Sequence, residues 1–331
     1  MLPQTIVTRN VNSALEDGLW LLKISGVHTN SRNGVVIRAP GPVITHYKRP
    51  EERVLWSSLR NANPFFHLME SMWMLAGRND VAWVEKFAKQ MREYAEPAGH
   101  IHGAYGHRWM TAFGFNQLTQ IVNHLNEFPD SRRAVLQMWS ANLDLNQNMA
   151  KDIPCNTHAY FERRNESLDM TVCCRSNDII WGAYGANAVH FSILQQFLAE
   201  ALGLKQGVYN QFSNNYHLYT GFGPGKKLME EIGAYSRGDK YETNAWLTPR
   251  IVHGAAAGTI FGIQTFCASD WEVDAADYTD NPFIITVLDP MRKFYMLRKE
   301  GVLDSSILMT MIECDWKYAA LDWAERNLKD A

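Results

Sequence analysis

The sequence predicts a mixed α/β layer protein in one domain of 331 residues. Two observations carry that prediction. Strand-like and helical stretches are interspersed, with several antiparallel hairpins among them, and neither an internal repeat nor a low-complexity linker divides the chain. Hydrophobic residues make up 46% and charged residues 20%, the balance of a soluble globular protein with a substantial core. The net charge of −3 argues against a protein that coats nucleic acid, but leaves room for a local arginine cluster that grips a small anion.

The elements follow in order. Residues 11–24, "VNSALEDGLWLLKI", repeat apolar side chains at helical spacing. "NGVVIRAPGPVITHYK" predicts strand, turn, strand. "PFFHLMESMWMLA", 64–76, predicts an apolar helix started by Pro64 and stopped by Gly77. A mixed polar region, 80–110, carries "GAYGHRW". Residues 114–128 predict a helix, and "DSRRAVLQMW" a turn that enters a strand. Residues 157–163 and 167–174 predict a hairpin around "RRNES". "NAVHFSILQQFLAEAL", 187–202, predicts an amphipathic helix closed by Gly203. Near the end, "PFIITVLD" predicts a strand and 304–328 a helical terminus. The runs "HGAAAGTIFGIQTF" and "SDWEVDAADYTDNP" have no assigned role.

Five cysteines, at 155, 173, 174, 267 and 314, form no CxxC pair and no zinc spacing, so no metal site is expected. Their odd number, with no signal-peptide pattern, predicts a reducing cytoplasm. No run approaches the roughly 20 apolar residues of a membrane span.

Short stretches carry the chemistry. Arg132 and Arg133 stand side by side after a turn, where planar guanidinium groups suit a bidentate grip on phosphate; the alternative is a solvated turn. Cys155 follows a proline at the lip of a strand. It is either a packed small side chain or a nucleophile whose thiolate nearby arginines favour. Arg175 and Ser176 are donors suited to phosphate, and Asp178 and Asn187 are placed to read polar ring edges. His217 and Tyr219 are two residues apart on one face of an extended stretch, able to hold a sugar. Glu70 interrupts an apolar helix face. It either reaches water or is a buried acid.

Taken together and in this order, the motifs resemble the thymidylate synthase and pyrimidine nucleotide hydroxymethylase superfamily over residues 10–225: Arg32 in "NSRNG", Glu70 in "MESMWMLAGRND", Tyr105 in "GAYGHRW", Arg132 and Arg133 in "DSRR", Cys155 after proline, then "RSND" and "HLY". The resemblance implies a thymidylate synthase-like domain, a mixed sheet with packed helices, and a sheet-to-sheet homodimer. It implies 5,10-methylenetetrahydrofolate as the one-carbon donor. Cys155 would add to C6 of a pyrimidine nucleotide and make C5 nucleophilic toward that carbon. Arg32, Arg175 and Ser176 would bind the nucleotide phosphate, with Arg132 and Arg133 reaching in from the partner subunit. Glu70 would manage protons, Tyr105 would assist at C5, His217 and Tyr219 would hold the ribose, and Asp178 would bind the pterin. Residues 225–331 would be a C-terminal extension of the single domain spanning 1–331.

Departures from thymidylate synthase sharpen the expectation. Residues 84–104 contain no tryptophan, the chain ends in the charged "RNLKDA", and Asn156 follows the nucleophile where synthases carry histidine. A wetter site favours adding water to the one-carbon unit over reducing it, hence hydroxymethylation. Base reading falls to Asn187 with one inserted residue, or to Ala186 without it; in the second case Asn156 or water reads C4. The missing histidine tilts the expected base toward cytidylate over deoxyuridylate. The alternatives are a thymidylate synthase and, from another class, a catalytically silent nucleotide-binding homologue. Retention of the nucleophile and the arginines speaks against the second.

Overall fold

The computed structural model describes residues 2–146, 150–232 and 239–328. Its strands are β1 (Gln4–Thr8), β2 (Val27–Ser31), β3 (Gly34–Arg38), β4 (Val43–Tyr47), β5 (Val135–Gln137), β6 (Asn156–Arg164), β7 (Ser167–Cys174), β8 (Asn177–Asp178), β9 (Lys205–Ser213) and β10 (Tyr216–Tyr219). They form a six-stranded mixed sheet, β1-β4-β9-β7-β6-β5, and a four-stranded one, β2-β3-β10-β8. The predicted hairpin is β6 and β7, turned by Asn165 at φ +52, a left-handed position that asparagine tolerates. The stretch 33–48 does form two strands, but they do not pair. β3 joins β2 and β10, whereas β4 joins β1 and β9, so Pro40–Pro42 carries the chain between sheets.

The large sheet has two different faces. Inward, Ala159, Phe161, Leu168, Met170 and Val172 are buried. Outward, register lines up Val135, Tyr160, Thr171, Asn210, His46 and Val7 in one row across the sheet, and none of the six is buried.

The helix Asn187–Ala201 lies against β7 and β9 and the helix Pro64–Leu75. The amphipathic expectation does not hold for it. Every residue from Asn187 to Ala199 is buried, because sheet, helix and C-terminal segments enclose it. Pro64 occupies the first turn of its helix, Asn63 caps it by accepting from Phe66 N–H, and Gly77 at φ +73 ends it. Gly203, at φ +68, closes the helix Asn187–Ala201 in the same way.

The expected strand at 282–289 is a correction: Ile284–Leu288 is helical and runs into the helix Asp289–Lys299. Its β-branched residues favour a strand, but Ile284, Val287, Leu288, Met291 and Phe294 are buried at helical spacing. The helical terminus divides into Ser306–Met309 and Asp315–Asn327; Lys329, Asp330 and Ala331 of the charged end lie outside the described residues. "HGAAAGTIFGIQTF" contains the helix Ala256–Ala268. Phe65 packs on Phe294, Tyr295 and Trp323, which fixes the C-terminal helices to the back of the helix that carries Glu70. Most of the buried apolar residues form one cluster from Ile6 to Ala324. No helix among the described residues is long and apolar enough to cross a membrane.

Candidate active site

A cleft of about 630 Å³ opens between the two sheets. Its wall includes Cys155, Arg32, Arg175, Ser176, His217 and Tyr219, six residues singled out by sequence and drawn from four separate strands and turns. Arg32 sits at the β2–β3 turn, Cys155 just before β6, Arg175 and Ser176 just after β7, and His217 and Tyr219 on β10. The alternation of β10 holds its imidazole and phenol on one side with ring centroids 5.1 Å apart.

Cys155 is half-buried. Burial pushes its thiol up; Arg175 and Arg32 pull it down, and Asp152 pushes it further up. Arg175 also ties down the backbone that leads into Cys155. Its guanidinium donates to Pro154 O at 2.9 Å and Ile153 O at 3.0 Å, and its backbone N–H donates to Cys155 O at 2.8 Å, while the guanidinium carbon lies 5.6 Å from the centroid of Trp139. Two guanidinium N–H groups are thus committed to the chain, leaving the rest for an anion.

Behind the wall stands a polar layer. The Tyr105 hydroxyl accepts from Cys155 N–H at 3.0 Å, Asn156 N–H at 3.0 Å and Asn156 Nδ2 at 2.9 Å. Burial holds this phenol well above its ordinary pKa. Asn156 Nδ2 also donates to Asn187 Oδ1 at 3.1 Å, and Asn187 Nδ2 donates to Asn177 Oδ1 at 3.0 Å. Asn156 Oδ1 is buried without a partner. Asn187 presents its amide beside Asn156, whereas Ala186 leads into the helix and carries no polar side chain. The chain reaches this arrangement through Ile179–Ala186, a wide helical turn kinked at Gly185.

Glu70 is half-buried and faces His190, with Oε2 3.1 Å from Nε2. Asp178 is pushed up by burial, but its carboxylate is largely used locally. Oδ1 accepts from the N–H groups of Ile180 and Trp181, and Oδ2 from Tyr219 N–H at 3.3 Å. It lies in register with His217 on β10. Next to it, Trp181 is 44% exposed and packs on Gly223, and Phe222 is 47% exposed and packs on Tyr219. The Arg60 guanidinium lies 4.5 Å from the Trp181 ring centroid.

Arg132 and Arg133 are not brought to this cleft. Both are exposed just before β5 and line no part of its wall. Trp83, immediately before the tryptophan-free stretch, is buried against Phe87 and Phe266. Sequence reasoning missed Arg38, Trp139 and Asp152, all in the wall. Arg38 shares a face with Val36 two residues away; Asp152 gave no signal beyond lying three residues before Cys155.

A buried ion pair lies on the helix Tyr105–Met110 that carries Tyr105. Arg108 donates to Asp144 through both terminal nitrogens, at 2.7 and 2.8 Å, and to Met138 O and His102 O. His102 Nε2 contacts Asp144 Oδ1 at 2.9 Å.

Comparison with known proteins agrees with this geometry. Thymidylate synthase from T4 phage superposes with a TM-score of 0.54 at 20% identity, covering 65% of this chain and 78% of that one. The fold is that of thymidylate synthase. The thymidylate synthase family model matches residues 25–234. A deoxyuridylate hydroxymethyltransferase of Pseudomonas phage M6 is 41% identical over 340 residues, 98% of this chain and 94% of that protein. A deoxyuridylate hydroxymethyltransferase of Bacillus phage SP01 is 35% identical over 209 residues, 60% of this chain and 54% of that protein. The chain belongs to the thymidylate synthase family, and it is a one-carbon transferase.

Proposed function

We propose that this enzyme transfers a one-carbon unit from 5,10-methylenetetrahydrofolate to C5 of deoxyuridylate and releases it as a hydroxymethyl group. The observation that carries the reading is Cys155 at the lip of a cleft whose wall also holds Arg32, Arg175, Ser176, His217 and Tyr219. Relatives named deoxyuridylate hydroxymethyltransferase, one aligned over nearly the whole chain, support pyrimidine nucleotide hydroxymethylation. Cys155 adds to C6, and Arg175 keeps its backbone in place while contributing charge for the phosphate. Glu70 with His190 moves protons at the ring, and the Tyr105 hydroxyl serves C5.

The base is proposed as uracil. The sequence tilts toward cytidylate because histidine is missing after Cys155. The relatives' names favour deoxyuridylate, and the Asn187 amide supports that reading. The amide still has one N–H and one carbonyl lone pair uncommitted, the set that O4 and N3–H of uracil require. The exposed rings of Trp181 and Phe222 and the Asp178 carboxylate, with one lone pair uncommitted for a ring N–H, support pterin binding there. The folate supplies the carbon at the formaldehyde level of oxidation. The unburied outer row of the large sheet supports a sheet-to-sheet homodimer, with Arg132 and Arg133 crossing to the partner's phosphate site. The C-terminal extension is proposed as a buttress behind Glu70's helix within the same domain.

The test is product mass. The protein is incubated with methylenetetrahydrofolate and dUMP, dCMP, UMP or CMP separately. Gain of one CH2O unit on dUMP alone is the expected result. Gain of CH2 with dihydrofolate formed would make the enzyme a synthase, and CH2O gained on dCMP or CMP instead would overturn the base assignment.

A further inference from the structure

Glu70 and Asp178 stand outside the wall that holds Cys155, whereas Asp152 is part of it. Glu70 faces His190, and Asp178 caps three backbone N–H groups. Asp152 is different. It lines the same cleft as Cys155, three residues before it, and its carboxyl accepts from Gly103 N–H. Gly103 is glycine for a local reason: a Cβ there would stand 2.5 Å from Asp152 Oδ2. The segment "HGAY" is thus shaped to admit this carboxyl, and it also leads directly to Tyr105.

We propose that Asp152 is the base that activates the water added to the pyrimidine methylene, and so decides for hydroxymethylation; this rests on the function proposed above. Once C5 has lost its proton and the carbon has separated from the donor, the pyrimidine bears an exocyclic methylene at C5. The water oxygen bonds to that carbon, the methylene π pair moves into the C5–C4 enolate, and the water proton passes to Asp152. The enolate then expels the Cys155 thiolate from C6 and restores the ring double bond. Nothing is oxidised or reduced, and Asp152 returns its proton to cleft water. Glu70, Tyr94, His102, Tyr105, Arg108 and Cys155 are the titratable and charged groups whose charges couple to it. Burial raises its pKa, the direction that makes its carboxylate a stronger proton acceptor.

The experiment uses Asp152→Asn, nearly isosteric, with Asp152→Glu as the conservative partner. Three quantities are read with the full enzyme: the covalent adduct of Cys155 with 5-fluoro-dUMP, tritium release from C5-labelled dUMP, and hydroxymethylated product. The proposal expects Asp152→Asn to form the adduct, to release tritium within about threefold of the unmodified enzyme, and to lose hydroxymethylated product roughly 100-fold or more. Added 2-mercaptoethanol should capture the stranded methylene as a thioether, and Asp152→Glu should recover part of the product. Undiminished hydroxymethylation by Asp152→Asn overturns the proposal. So does parallel loss of adduct, tritium and product in both variants, which would mean a role in the fold or in nucleophilic attack. If the unmodified enzyme yields no hydroxymethylated nucleotide, the proposed function itself fails, a result distinct from either.

Discussion

The cleft around Cys155 and the C-terminal helices both bury a carboxyl group and push its pKa up, yet to different ends. Asp152 stands in an open wall beside a thiol, within reach of solvent. Asp315 is fully enclosed. Burial raises it to about 6 while Tyr241 donates to it at 2.7 Å, Trp316 N–H donates at 2.9 Å, and the nearby charge of Arg53 opposes the rise. The same perturbation is chemistry where a ligand can arrive and scaffolding where none can. No residue of 239–328 lines the cleft; the C-terminal region packs instead on the helix that carries Glu70 and on the helix Asn187–Ala201.

The largest expected effect lies in the cleft. Cys155→Ser should reduce tritium release from C5-labelled dUMP to background while thermal unfolding stays unchanged, because a half-buried thiol is exchanged for a similar side chain. Persistent release would remove the nucleophile from the mechanism. Next comes the buried ion pair. Asp144→Ala leaves Arg108 buried without its carboxylate and should cost roughly 3–5 kcal/mol of stability, measured by denaturant unfolding. A loss below about 1 kcal/mol would show that water replaces the partner at little cost.

The third prediction sets the C-terminal acid against the cleft. The folded protein holds the Asp315 proton more tightly than the unfolded chain does. Stability should therefore fall as pH rises from about 4 through about 6, by roughly 3 kcal/mol, the worth of a carboxyl that keeps its proton to about 6 when folded and to about 4 when unfolded. Asp315→Asn should flatten that part of the pH–stability curve without changing nucleotide affinity. An unaltered slope would assign the pH dependence elsewhere.

The smallest effect concerns the arginines outside the cleft. Arg133→Ala should weaken dUMP binding roughly 10- to 100-fold, the worth of one charge-assisted contact, with the fold intact. Mixing Arg133→Ala with Cys155→Ser subunits should regain activity, since one of the two sites would then hold both an intact thiol and a partner arginine. No regain would place Arg133 in its own subunit's chemistry or outside it.

Much of the cleft was readable because its residues fall in short ordered motifs. Cys155, Arg175, Ser176, His217 and Tyr219 sit at strand ends, where polar side chains in an otherwise apolar pattern stand out. The base-reading position was ambiguous because one extra residue in the kinked turn Ile179–Ala186 shifts the register, and a side chain's direction there depends on the path of Gly185. Asp152 was invisible: an acid three residues before a nucleophile has no period or spacing to mark it until Gly103 is brought against it. The misread strand at 282–289 has the opposite cause. Its β-branched run carried a local preference that burial between helices overrode. The buried row of Asn187–Ala199 looked amphipathic because Gln195 and Gln196 read as a polar face. Both are enclosed and donate to backbone carbonyls, Gln195 to Leu168 O and Gln196 to Pro249 O.

The most direct test of the central claim counts two products of one reaction. The enzyme is given C5-tritiated dUMP and methylenetetrahydrofolate, and released tritium is scored against dihydrofolate formed. The account predicts tritium release with no matching dihydrofolate, because water and not hydride completes the transfer. Equal amounts of the two would contradict it and make this enzyme a thymidylate synthase.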